Sequence, residues 1–302
     1  MRAKIALVLI LSTLTGCANF KAASEFAKQT SLVTGVVRDE FGQLDAMCRH
    51  QAELTIVVNN ITDDGPLKSC LEYQAAQGRL AVVTLDVLDD YANALAGLAN
   101  NNEFELKSDI DAVGAKVKGL QDGDGRALVS TSEVTVLTSL VATLADVATE
   151  GKRESAVRRL IAEKANLQAT GLILRSFFVA DPQAPPGRVK APYFNMVGLA
   201  GDSLASTEQM LASKPFQSAE PIRTVELLRT LRVRKARLAE RTGGGAGKVP
   251  LAIAAAIDAW LEALDRFSAD ALKPEPKELL NKLKDLRTKA GLAKAALQSN
   301  QN

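Results

Sequence analysis

An all-α protein is the fold class this sequence predicts: a long helical hairpin or bundle region followed by a four-helix up-down bundle. Three observations predict it. Apolar residues recur at three- and four-residue steps through most of the chain. No stretch alternates with the period of two that a half-buried strand needs. Aromatic residues make up only 4% of the 302 residues while Ala and Leu abound, a balance that favours helices over a β-sandwich. No tandem repeat is visible.

Arg2 and Lys4 precede an apolar run, Ile5 to Leu14, interrupted only by Ser12 and Thr13. As a helix it spans about 15 Å, half of a ~30 Å hydrocarbon core, so residues 1–16 read as a cleaved leader. No other run of about 20 apolar residues stands out. Residues 17–30 read as a tether running into a helix. From Ser31 to about Val58, Val33, Val37, Phe41, Leu44 and Cys48 share one helical face. The stretch NNITDDGP ends that helix, and Pro66 suits the first turn of the next. The next helix reaches about Ala99 with Leu88, Tyr91, Leu95 and Leu98 on one side. Cys70 lies five helical turns before Leu88, on the same side.

A short helix over 103–120 and the loop QDGDG follow. Ser130 and Glu133 then have capping-box spacing ahead of Val134, Leu137, Val141, Leu144 and Ala148. The pattern pauses at Gly151 and resumes at Val157, Leu160, Ile161 and Leu167. One long helix to about Phe178, irregular near Gly151, is expected, with a two-helix hairpin as the alternative. Residues 31–179 thus form the long-helix region, and the Pro-rich stretch 180–191 is the expected hinge and domain boundary. Within 192–302, segments 192–213, 221–241, 250–272 and 276–298 each carry Pro at or near the start, where its missing N–H costs nothing. Short connections make an up-down bundle economical. The run AIAAAIDAWLEAL, apolar on most sides, is expected to be its most buried helix.

Without Arg2 and Lys4 the chain carries 35 basic and 35 acidic residues, so nucleic acid binding has no bulk electrostatic support. Residues 17–150 hold 10 basic and 20 acidic residues, and residues 151–302 hold 25 and 15. Either the halves complement each other, or the basic half meets headgroups, cell-wall polymer or an acidic partner. Residues 223–241 concentrate the positive charge. Leu227, Leu231 and Leu238 fall on one side with Leu228 widening the stripe, which turns Arg229, Arg232 and Arg237 outward as a candidate anion or partner contact. Lys235 falls at the flank. Arg234 falls near the stripe, where it needs a partner or a path to water.

Catalytic and cofactor chemistry finds no foothold. "GDSL" at Gly201–Leu204 repeats the letters of an esterase serine motif, yet Ser203 sits in a helical pattern and no His follows it as a base. "TGGGAGKV" at Thr242–Val249 has Thr where a P-loop needs its first Gly, and Val249 where it needs Ser or Thr; it reads as a helix–helix turn. His50, the only histidine, lacks the companions a metal site requires, so no metal and no cofactor are expected.

Leu14-Thr15-Gly16-Cys17 resembles the lipobox of bacterial lipoproteins, a likeness confined to the first 17 residues. The resemblance implies a diacylglycerol on the Cys17 thiol by thioether linkage, cleavage before Cys17 and acylation, such as palmitoylation, of the freed amine. Ala18, in place of the Asp that commonly retains such proteins at the inner membrane, implies an outer-membrane anchor facing the periplasm of a two-membrane host. The expected function is non-enzymatic: a membrane-anchored scaffold binding another protein, as an immunity or inhibitor lipoprotein or an envelope accessory subunit. A small-ligand or anionic-polymer binder is the alternative, and an enzyme with an unrecognised site is third.

In an exported chain Cys48 and Cys70 are expected to be bonded, closing a loop that the chain-entropy account values at ~3 kcal/mol. Cα atoms within ~6.8 Å require the first helix to stop early, near Glu53. Non-reducing peptide mapping is expected to recover one cross-linked peptide pair containing Cys48 and Cys70. Two alkylatable thiols at those positions would refute the bond.

Overall fold

The computed structural model describes residues 17–59, 62–65, 67–68, 78–100, 107–120, 129–150, 152–179, 201, 204–212, 221–242, 248–271, 273 and 276–299. Among them there is helix and no strand, as the apolar periodicity predicts. The helices are α1 Cys17–Asn59, α2 Arg79–Asn100, α3 Lys107–Lys118, α4 Thr131–Ala148, α5 Arg153–Ala162, α6 Lys164–Phe178, α7 Pro221–Thr242, α8 Lys248–Asp270 and α9 Lys277–Ser299. A further helical stretch covers 204–212.

Two expectations about α1 need correction. There is no tether: the helix begins at Cys17, and Ala22, Ala23, Phe26 and Ala27 are already buried, because these small and aromatic residues have a packing surface to meet. Nor does the helix stop near Glu53; it runs unbroken to Asn59. Leu67 nevertheless packs on Cys48 and Ala52, so by that residue the chain has come back alongside α1. Cys70 lies outside the described residues.

The expected single helix through Gly151 is also replaced by its alternative. Ser130 caps α4 with a complete capping box, accepting from the Glu133 N–H while the Glu133 carboxylate accepts from the Ser130 N–H. α4 ends at Thr149, and α5 starts after Lys152 in extended conformation. Arg159 on α5 reaches Asp146 on α4 at 3.4 Å, and Thr143 donates to Glu163 at 2.7 Å, so the two helices run antiparallel. α4 is long and apolar enough to cross a membrane by length and composition, a candidate span the sequence reading missed, yet Val134, Leu137, Leu140, Leu144 and Val147 are buried in the fold.

Packing divides the chain into two compact units. Unit one takes the chain up to Gly35, Ala81–Arg175 and Ala255–Gly291; unit two takes Val36–Leu80, Ser176–Ala254 and the chain from Leu292. Each draws on both sides of the Pro-rich stretch 180–191, which itself lies outside the described residues. The expected boundary there, between a 31–179 region and a separate 192–302 bundle, is therefore not a boundary of packing.

Side-chain pairs give the helix directions in unit one. Ser24 meets Asn100 at 3.4 Å and Thr34 meets Asp89, so α1 and α2 are antiparallel. Tyr91 donates to the Leu160 carbonyl and Arg153 to the Leu98 and Ala99 carbonyls, which sets α5 antiparallel to α2. Arg175 pairs with Asp258 at 2.6 Å and Lys164 with Asp265, setting α8 antiparallel to α6. Arg266–Glu278 and Lys282–Glu262 do the same for α8 and α9. This is an up-down bundle, though assembled from both halves of the chain.

Its centre is Trp260 on α8, the chain's only tryptophan and 2% exposed. The indole N–H donates to Thr30 Oγ1 at 2.9 Å, and Thr30 donates to the Phe26 carbonyl at 2.9 Å. Phe26 stacks on Phe267 with centroids 4.3 Å apart. The run expected to be deeply buried is so: Ile253, Ala256, Ile257, Ala259, Trp260, Ala263 and Leu264 are all buried. In unit two, Phe41 meets Phe177 edge-on at 5.5 Å and Phe178 at 5.6 Å, with Val37, Leu204, Leu231 and Leu238 buried in the same unit.

Gly171 on α6 faces this centre so closely that a Cβ would sit 2.7 Å from Leu261 Cδ2 and 2.8 Å from Trp260 Cζ3. Alanine would favour the helix by roughly 1 kcal/mol, but the ring is held by Thr30 and cannot step aside. Gly171→Ala is expected to destabilise the protein by about 1–3 kcal/mol, read as a lower urea midpoint followed by Trp260 fluorescence. An unchanged or higher midpoint would show that the ring yields.

Candidate functional site

α7 forms because Leu and Arg, both good helix formers, dominate it, and Pro221 occupies its first position. Leu231 and Leu238 are 1% and 5% exposed, as the leucine stripe predicts; the Leu227 side chain lies outside the description. Arg229 and Arg232 are exposed as expected, while the side chain of Arg237 is not described. The structure thus places two of the three candidate arginines.

Arg232 is not available in the way the sequence suggests. Its Nε donates to Glu208 Oε1 at 3.0 Å, and Lys235 Nζ donates to Glu208 Oε2 at 3.2 Å. Glu208 belongs to the helical stretch 204–212, whose Leu204 and Thr207 are buried and whose Thr207 hydroxyl lies 3.4 Å from that of Thr55. The hydrogen bonds from Arg232 and then Lys235 hold the Glu208 carboxyl below its ordinary value. One carboxylate thus pins two cations on the flank of α7.

Arg234 lies near the stripe as expected, but one of its nitrogens finds neither the partner nor the path to water that this place calls for. It is partly buried, its Nη1 is sealed from solvent without a hydrogen-bond partner, and burial lowers its affinity for the proton. Sequence reading missed the two residues that complete the outward face: Val225 and Val233, 55% and 45% exposed. Val225, Arg229 and Val233 are spaced by four and so share one side of the helix. That spacing was readable, but the leucine stripe absorbed the apolar signal.

The other candidates are placed as follows. Cys17 is the first residue of α1, and its side chain is not described. Cys48 is buried, 8% exposed. His50 is exposed, with Nδ1 3.7 Å from Glu53 Oε2. No group of three or more metal-ligating side chains occurs among the described residues. Ser203 lies outside them, and TGGGAGKV begins on Thr242, the last residue of α7, and ends on Lys248 and Val249, the first two of α8.

Sequence reading also missed Arg153. It caps the end of α2 through the Leu98 and Ala99 carbonyls, and its guanidinium lies 3.8 Å over the Phe20 ring. Phe20 falls in the stretch that reads as a tether, where the sequence points to no partner for it.

The lowered Glu208 pKa gives a sign. Its ion pairs contribute stability that is complete above the unfolded value of about 4.3 and is lost as pH falls through the folded pKa. Glu208→Gln is expected to melt below the wild type near neutral pH, by an amount within ~1 kcal/mol for so exposed a cluster, and to converge with it in acid. A gap that persists at low pH would trace the loss to packing instead.

Compared with known families, curated proteins and solved structures, the chain matches none.

Proposed function

We propose that the protein is a lipid-anchored scaffold facing the periplasm, non-enzymatic, which binds another protein through the outward face of α7. The lipobox residues Leu14 to Cys17 support the anchor. The observation that carries the contact is the face itself: exposed Val225 and Val233 with the Arg229 guanidinium between them, on a helix held down by Leu231 and Leu238. Arginine and apolar side chains together are what protein interfaces use at their centres, because a guanidinium offers several donors on a stem that packs well. The excess of basic residues over 151–302 favours an acidic partner. In the same reading Cys48 pairs with Cys70, which suits the burial of Cys48 and the packing of Leu67 three residues before Cys70.

An anionic polymer is the second reading, favoured by the exposed Arg229 and the basic excess of residues 151–302. Salt separates the two, since charge-only binding collapses within a short screening length while a contact with an apolar centre keeps part of its affinity. Affinity capture from detergent extract, at low and at high salt, is expected to retain a protein in both. The triple variant Val225→Ser, Arg229→Glu, Val233→Ser is expected to weaken retention at least tenfold with little change in melting temperature. Arg232 is left in place because it holds Glu208. Full retention by the triple variant would remove α7 as the contact, and loss of all binding at high salt would favour the polymer.

A further inference from the structure

The missing tether has a consequence for where unit one sits. α1 is helical from Cys17, and by Ala22 it is in the core: Ala22, Ala23 and Phe26 are 2%, 0% and 0% exposed. Five residues of helix cover about 8 Å, with none of the slack that extended chain would give. Phe20, one turn from Cys17, is half-buried under the Arg153 guanidinium at 3.8 Å, and Arg153 is fastened to the Leu98 and Ala99 carbonyls. Ser24 hydrogen-bonds Asn100 at 3.4 Å on the same end. The start of α1, the end of α2 and the start of α5 therefore form one interlocked end of unit one. Lys21 and Lys152 are exposed there, the first next to Phe20 and the second next to Arg153.

We infer that this end of unit one, with Lys21 and Lys152, lies directly against the lipid headgroups, so that the fold is pressed onto the bilayer and does not hang from it. The inference rests on the acylation of Cys17 proposed above. Acyl chains on Cys17 fix the first residue of α1 at the bilayer surface, and a rigid path of about 8 Å leaves no room for the body to stand off. That distance is also about one screening length at physiological ionic strength, so the two ammonium groups feel the headgroup phosphates, and their long stems let them reach. The partner is a lipid surface; no protein is needed to fill this end.

The test uses the full acylated protein in vesicles of phosphatidylethanolamine and phosphatidylglycerol doped with a headgroup-nitroxide lipid. A fluorophore is placed in turn at Lys21→Cys, Lys152→Cys and Lys118→Cys, with the unsubstituted protein measuring background labelling. Lys118 is an exposed control in unit one. It lies two residues beyond Lys116, whose ammonium pairs with Asp86, about 21 Å along α2 from Asn100. Emission at positions 21 and 152 is expected to fall at least twofold relative to position 118. Ten Gly/Ser residues inserted between Ala18 and Asn19 are expected to abolish the difference while acylation persists. Equal emission at all three positions in a protein whose mass carries the acyl chains would overturn the inference and leave the anchor standing. A mature mass without acyl chains would overturn the anchor itself, and the inference with it.

Discussion

Unit one depends on one close approach, that of α6 to α8 at Gly171. Only a hydrogen fits there against Trp260 and Leu261. The absence of a side chain lets the backbone of α6 lie on the indole, and the indole reaches across to α1 through Thr30. Thr30 relays the bond to the Phe26 carbonyl, and Phe26 in turn stacks on Phe267, about two turns further along α8. Three helices far apart in sequence are tied by one ring. Aromatic pairs add about 0.5–1.5 kcal/mol beyond the area they bury, and the satisfied indole N–H avoids the cost of an unpaired buried donor.

Around that centre, side chains reach across to helix ends and breaks. Arg153, the first residue of α5, supplies donors to the last carbonyls of α2. At the other end of α5, the chain breaks at Glu163 before α6 begins. Tyr91 donates to the Leu160 carbonyl near that break, while Thr143 and Asn166 donate to the Glu163 carboxylate. Burial, and then the charge of Glu163, push the Tyr91 phenol well above its ordinary value, so it stays a neutral donor. The joint is therefore a satisfied, partly buried polar site beside an apolar core, which makes it specific as well as stable.

Unit two shows how one helix serves packing and presentation at once. Leu231 and Leu238 face inward, Arg232 and Lys235 close on Glu208 at the flank, and Val225, Arg229 and Val233 remain outside. The flank pairs contribute little energy at so exposed a site, but they engage two of the cations beside the outward face. Arg234, with a sealed nitrogen and no partner for it, records the cost of placing so many arginines on one helix.

Helix content was legible from the period of the apolar residues, since that period reports only on the chain's own geometry. Val33, Val37, Phe41 and Cys48, the capping box at Ser130, and Leu231 with Leu238 all follow it. What the period does not carry is which stripe meets which. The run that holds Trp260 reads as the most buried helix of a C-terminal bundle, and only the tertiary structure joins it to Thr30 and Phe26 in the segment that reads as a tether. Gly151 permits a bend or a turn equally, and the choice of a hairpin is made by the partners Asp146 and Arg159 and by Arg153 finding the end of α2. Glu208 gave no signal at all, because a lone acid in an amphipathic helix is ordinary until two cations from another helix close on it. The sequence by itself thus determined that the chain is helical and which residues of the main stripes are buried. The tertiary structure decided their pairing, because complementarity between two faces is a property of neither one alone.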